Sequence, residues 1–78
     1  MKTRYYLRLG SDDLDQARPY RTRAAALAAY GYDAHDLADY GQQLDASIHL
    51  APTRAELVEY PDFVLSLGPR GGIRVERA

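Results

Sequence analysis

From Phe63 to Val75 the chain reads FVLSLGPRGGIRV, two alternating apolar runs joined by turn residues. Phe63, Leu65 and Leu67 fall on one side of an extended backbone and Val64 and Ser66 on the other, while Ile73 and Val75 alternate with Arg74 and Glu76. That period of two is the signature of half-buried strands. Between them, Gly68-Pro69-Arg70-Gly71-Gly72 supplies a proline for the second position of a turn and glycines for positive φ. The stretch therefore predicts a β-hairpin, which pairs its two strands antiparallel. A phosphate-binding loop needs a helix after its glycines, and Ile73-Arg74-Val75-Glu76 is a strand pattern instead. One Arg-Gly-Gly is also too little for a disordered RNA-binding segment. Only Arg70, at the expected hairpin tip, is left as a contact candidate.

The rest of the chain divides on the same grounds. Thr3 to Leu9 alternates, with Tyr5, Leu7 and Leu9 inward and Arg4, Tyr6 and Arg8 outward. Gly10-Ser11-Asp12-Asp13 reads as a turn, and Ala17 to Arg21 as a short edge strand, because Pro19 is tolerated at a sheet edge. Thr22 is an N-cap for an alanine-rich helix over Arg23–Tyr30, with Gly31 as its stop. A second short helix is expected over Asp33–Tyr40, ending at Gly41. Asp45 to Ala51 alternates again, Ala46, Ile48 and Leu50 inward and Ser47 and His49 outward. Thr53-Arg54-Ala55-Glu56 matches the capping box and predicts a two-turn helix ended by Pro61.

The order is β-(β)-α-α-β-α-β-β over residues 1–78, one domain without repeat or linker. The expected fold is α+β: a mostly antiparallel sheet of about four strands with two or three short helices on one face. The expected core is Tyr5, Leu7, Leu9, Leu27, Leu37, Ile48, Leu50, Leu57, Phe63, Leu65, Leu67, Ile73 and Val75.

At 78 residues, a chain buries only roughly 60–65% of its unfolded surface, which favours presenting a surface over enclosing a deep pocket. The absence of cysteine excludes disulfides, thiolate metal sites and cysteine nucleophiles. The longest apolar run, Ala24 to Tyr30, is too short to span a bilayer, and Met1 to Arg8 has no continuous apolar stretch of the kind a secretory signal needs. A soluble intracellular protein is expected. The net charge of −1 conceals an asymmetry: residues 1–30 carry +3, residues 31–62 carry −6 and residues 63–78 carry +2. Such segregation bears on association rather than on fold.

Three constellations remain. The outward sheet face, with Arg4, Tyr6, Arg8, Ser47, His49, Ser66, Arg74 and Glu76, sets one aromatic among arginines, the chemistry with which single-stranded nucleic acid is stacked and neutralised. Ser47 and His49 share a strand face, but no nucleophile motif frames them, and His35 with Asp39 at i, i+4 is a helix contact rather than a metal site. The chain is read as a non-enzyme with no metal and no cofactor. The third constellation is acidic: Asp33, Asp36 and Asp39 lie beside Tyr32 and Tyr40, and Glu56 and Glu59 flank Tyr60. Like charges at i, i+3 repel, so helix stability does not call for them. A carboxylate face edged with tyrosine suits a positively charged protein partner.

In size, lack of cysteine, its tyrosines and the Asp33/Asp36/Asp39 and Glu56/Glu59 acidic set, the chain is similar in kind to small phage and mobile-element accessory proteins, anti-CRISPR proteins among them. That group shares no fold and no signature, so no residue role transfers position by position. The resemblance implies a non-enzymatic inhibitor or adaptor that presents Asp33, Asp36, Asp39, Tyr40, Glu56 and Glu59 to a basic, nucleic-acid-handling protein such as a CRISPR effector subunit. Arg70, Tyr6 and Arg74 are secondary contact candidates. The rival readings are a single-stranded nucleic-acid-binding module on the open sheet face and a structural homodimer made by edge-strand pairing.

Overall fold

The computed structural model describes residues 3–10 and 12–78. Met1, Lys2 and Ser11, read above as part of the N-terminus and the first turn, lie outside the described residues. The fold is α+β. Strands β1 (Arg4–Leu9), β2 (Arg18–Tyr20), β3 (Ala46–Ala51), β4 (Phe63–Leu67) and β5 (Ile73–Arg77) form one antiparallel sheet in the order β2-β1-β3-β4-β5. Among the described residues a single α-helix, α1 (Arg23–Ala38), carries the chain from β2 to β3. The sheet thus has five strands rather than about four, because the Pro19 segment does pair, at the edge expected for it.

The predicted hairpin is present. Gly68 N–H donates to the Gly72 carbonyl at 2.7 Å, Gly71 N–H donates to the Gly68 carbonyl at 3.0 Å, and Gly71 takes φ +81°. His35 of α1 reaches this turn, donating from Nε2 to the Gly71 carbonyl at 2.7 Å.

Two helices were expected where one exists. Thr22 is the N-cap as predicted, its Oγ1 accepting from Ala25 N–H at 3.1 Å, but α1 runs through Gly31 to Ala38. Gly31 is buried, and a Cβ there would lie 3.1 Å from Ile73 Cδ1. The glycine serves close approach of helix to sheet, not a left-handed stop. Glycine disfavours a helix interior by roughly 1 kcal/mol, and the helix runs through Gly31 all the same. The positive φ of a helix terminus occurs later, at Gly41 with φ +73°.

The main core lies between α1 and the sheet. Ala26, Tyr30 and Ala34 pack on Leu7, Ala46, Ile48 and Leu65, with Tyr5, Leu9, Leu27, Phe63, Leu67, Ile73 and Val75 around them. Small side chains let the helix sit close, and Tyr30 fills the remaining space, its O–H donating to the Leu44 carbonyl at 2.6 Å. Leu50, predicted inward, is 36% exposed and outside this cluster, and Leu37 is only half-buried.

The opposite face of the sheet departs most from expectation. It is not open. The segment after β3 crosses it, and Tyr6, Ala17, Ala51 and Leu57 form a second apolar cluster. The capping-box helix reduces to a 3-10 turn at Arg54–Glu56, with Thr53 at the N-cap making no side-chain bond and Leu57 already extended. The chain leaves the helical path so that Leu57 can cover Tyr6 and the Val58 carbonyl can meet His49. Among the described residues, no helix is long and apolar enough to cross a membrane.

Candidate functional site

A surface site on this fold starts from the helix. The buried residues of α1 (Ala26, Tyr30, Gly31 and Ala34) define its inner side. At 100° per residue, Tyr32 and Asp36 fall on the outer side, and Asp39, the C-cap, and Tyr40 follow in the turn that closes the helix. Tyr32 is 79% and Tyr40 77% exposed, and Asp36 and Asp39 are exposed between them. Asp33 sits at the margin of this stripe. It is half-buried and lines a small cleft of about 180 Å³ with Leu7, Gln16, Arg18 and Tyr20.

The electrostatics of the stripe run against the helix. Asp36 lies in the last turn of α1 and Asp39 is its C-cap, where the partial negative charge of unpaired carbonyls disfavours carboxylates by roughly 0.3–1 kcal/mol each. His35 is the one basic residue in that turn. Among the described residues the only ion pair is Arg8 Nη1 to Glu59 Oε2 at 2.8 Å, so no aspartate of the stripe is neutralised.

The remaining predicted contact residues do not join it. Glu56 and Glu59 belong to the segment that covers the other face of the sheet, and Glu59 is held by Arg8 across that face. The six residues proposed from sequence therefore divide into an exposed helix stripe and a separate pair behind the sheet. Arg70 is exposed at the hairpin tip and Arg74 is exposed on β5.

Tyr6 is a correction. It is 4% exposed, lies beneath Leu57 and has the Arg54 guanidinium 5.4 Å from its ring centroid. Arg54 is in turn tied down by a 2.6 Å bond from Nη1 to the Asp15 carbonyl. Without Tyr6, the sheet face has no aromatic on which a base could stack.

His49, also predicted outward and solvated, is 2% exposed. The Val58 carbonyl can only accept, so Nδ1–H donates to it at 2.9 Å, and Nε2 lies 2.9 Å from the Ser47 hydroxyl oxygen, within hydrogen-bond distance. The polarity is that of a serine beside a base whose other nitrogen is oriented. Here both ring nitrogens are engaged under the covering segment, and the arrangement ties residue 58 to β3. Among the described residues no buried side-chain nitrogen or oxygen lacks a partner.

A cleft of about 510 Å³ lies between the end of α1 and the β4–β5 hairpin, lined by His35, Gln42, Leu44, Asp45, Ser66 and Pro69 among others. Sequence reading missed it, since its wall comes from three separated segments. Beneath it Tyr30 is held above its ordinary pKa, first by burial of the phenol and then by the nearby Asp45 carboxylate. Among the described residues, no three histidine, aspartate or glutamate side chains are gathered closely enough to hold a metal ion.

No protein-family model, no curated protein and no solved structure matches this chain.

Proposed function

We propose that this protein is a non-enzymatic binding domain that docks the outer stripe of α1 on a basic, nucleic-acid-handling surface of another protein, as an inhibitor or adaptor. One observation carries the reading. Tyr32 and Tyr40, each more than three-quarters exposed, flank Asp36 and Asp39 at the helix end where negative charge is least favourable. A merely solvated face gains nothing from large exposed rings or from carboxylates placed against the helix dipole. A binding face gains from both: the rings supply apolar area and a hydroxyl, and the carboxylates steer the stripe toward a positive groove. Asp33, Asp36, Asp39, Tyr32 and Tyr40 form the contact, and Glu56 and Glu59 fall outside it. A CRISPR effector subunit emptied of nucleic acid is a partner of the required chemistry.

The test is surface-immobilised protein challenged with purified effector complexes, with and without their nucleic acid, at low salt. Binding to the empty form, competition by nucleic acid and loss of binding on reversing Asp33, Asp36 and Asp39 to lysine are the expected results. Reversal of Asp36 and Asp39 alone should leave the fold at least as stable, because it relieves the helix end. Undiminished binding by the triple variant would overturn the assignment. Rapid phosphonylation of Ser47 by a fluorophosphonate, with loss of fluoride, would overturn its non-enzymatic part.

A further inference from the structure

The two edges of the sheet are not equivalent. β2 is three residues long and carries Pro19, features that blunt an edge. β5 is five residues long, free of proline, and pairs only with β4. The bonding phase of β5 follows from its hairpin. Gly68 N–H bonds the Gly72 carbonyl, and Ala78 N–H bonds the Asp62 carbonyl at 3.3 Å, at the two ends of the same ladder. Antiparallel bonding alternates, so the backbone groups of Arg74 and Glu76 face β4. Those of Ile73, Val75 and Arg77 face outward, away from the molecule.

We infer that β5 is a homodimerisation edge, pairing antiparallel with β5 of a second copy about a two-fold axis at Val75. Three registers let two or more of the outward residues bond partners in the second copy. With Val75 opposite itself, Ile73 pairs with Arg77 of the second copy on both sides, and all three outward residues are used. Arg74 then lies directly opposite Glu76 of the second copy, twice, in the non-bonded positions where side chains approach closest. Sliding by two residues either way puts Arg74 opposite Arg74 or Glu76 opposite Glu76, and uses fewer bonds. Bonding and charge thus select the same register. Within one protomer Arg74 faces Ser66 and Glu76 faces Val64, so neither charge has a cross-strand partner until the second copy arrives.

Packing agrees with the pairing. Ile73 and Val75 belong to the rim of the main core and are only half-buried, so a neighbouring strand would cover them. α1 lies over one face of the sheet and reaches Ile73 and the Gly71 carbonyl from that face, and β4 is the strand paired with β5. The product is a continuous ten-stranded sheet, two copies of the five-stranded one. This inference is independent of the acidic stripe.

Sedimentation of the full chain at low salt, up to about 1 mM, tests it. The expected species is twice the 8.7 kDa chain mass, appearing with concentration. Arg74→Glu or Glu76→Arg alone should weaken association about tenfold or more, since each turns two attractive pairs into two repulsive ones. The double variant Arg74→Glu/Glu76→Arg should restore it. Val75→Pro removes only an outward N–H, so it should abolish the dimer while leaving the β4 ladder formed. Circular dichroism of every variant checks the fold. A chain that stays at monomer mass throughout, or a double variant as weak as the singles, would overturn the inference.

Discussion

His49→Ala should be among the most damaging single changes in this protein, although the residue sits on a strand position that alternation assigns to solvent. The ring is 2% exposed and holds two bonds of 2.9 Å, one to the Val58 carbonyl and one with Ser47. Truncation removes the packed ring and leaves both partners without their bonds in part-buried positions. Lost packing and unpaired polar groups together come to about 3 kcal/mol. For a domain of this size total stability is roughly 4–12 kcal/mol, and about 3 kcal/mol lowers the melting temperature by about 15 °C. His49→Asn, whose amide nitrogen can stand near the Nδ1 position, should recover part of the loss. Ser47→Ala, which removes one bond only, should cost about 1 kcal/mol. Scanning calorimetry at neutral pH gives the magnitudes, and amide hydrogen exchange over residues 57–62 shows whether the covering segment is released. A fall of less than about 5 °C for His49→Ala, or unchanged exchange over that segment, would refute the view that His49 pins the cover.

Other perturbations probe the helix side. Tyr30→Phe deletes the 2.6 Å bond to the Leu44 carbonyl and should cost about 1 kcal/mol by urea denaturation. Because burial raises the Tyr30 pKa above its ordinary 10.0, its contribution is complete below pH 10 and is lost as pH rises through the folded value. Wild-type stability should therefore drop in that alkaline range, and Tyr30→Phe should flatten the drop. Gly31→Ala meets the Ile73 terminal methyl at 3.1 Å. That methyl ends a flexible side chain on a half-buried edge residue, so a net stabilisation of about 0.5 kcal/mol is expected from helix propensity, and a destabilised variant would show that Ile73 cannot yield. Gly71→Ala places a Cβ 3.6 Å from His35 Nε2, an ordinary contact, but forces alanine to φ +81°. It should cost about 1–2 kcal/mol through the backbone alone, read as a lower melting temperature.

Where residues interact with near neighbours in the chain, reading the sequence worked. The Gly68–Gly72 turn, the Thr22 cap and the alternation of β1, β3 and β4 all depend on backbone preferences and a period of two, which are local properties. The failures share one cause, contacts between residues distant in the chain. Gly31 looks like a helix stop until β5 is brought against it. Thr53-Arg54-Ala55-Glu56 looks like a helix start until Tyr6 and His49 compete for the residues that follow. Tyr6 and His49 look solvated because alternation tells two faces apart but not whether the second one is covered. The acidic stripe was half legible: three-residue spacing grouped the aspartates and Tyr40 on a helix, whereas Glu56 and Glu59 shared only their charge and lie behind the sheet.

An antiparallel α+β domain, its hairpin and its edge proline were written in short-range patterns, because turn chemistry and strand periodicity act over a few residues. The continuous helix, the covered second face and the burial of Tyr6 and His49 arose from packing, since burial depends on which segments meet in space. The same holds for the free edge of β5. Its residues alternate like any strand, and only the strand order leaves their outward N–H and C=O groups, with Arg74 and Glu76 beside them, facing away from the molecule.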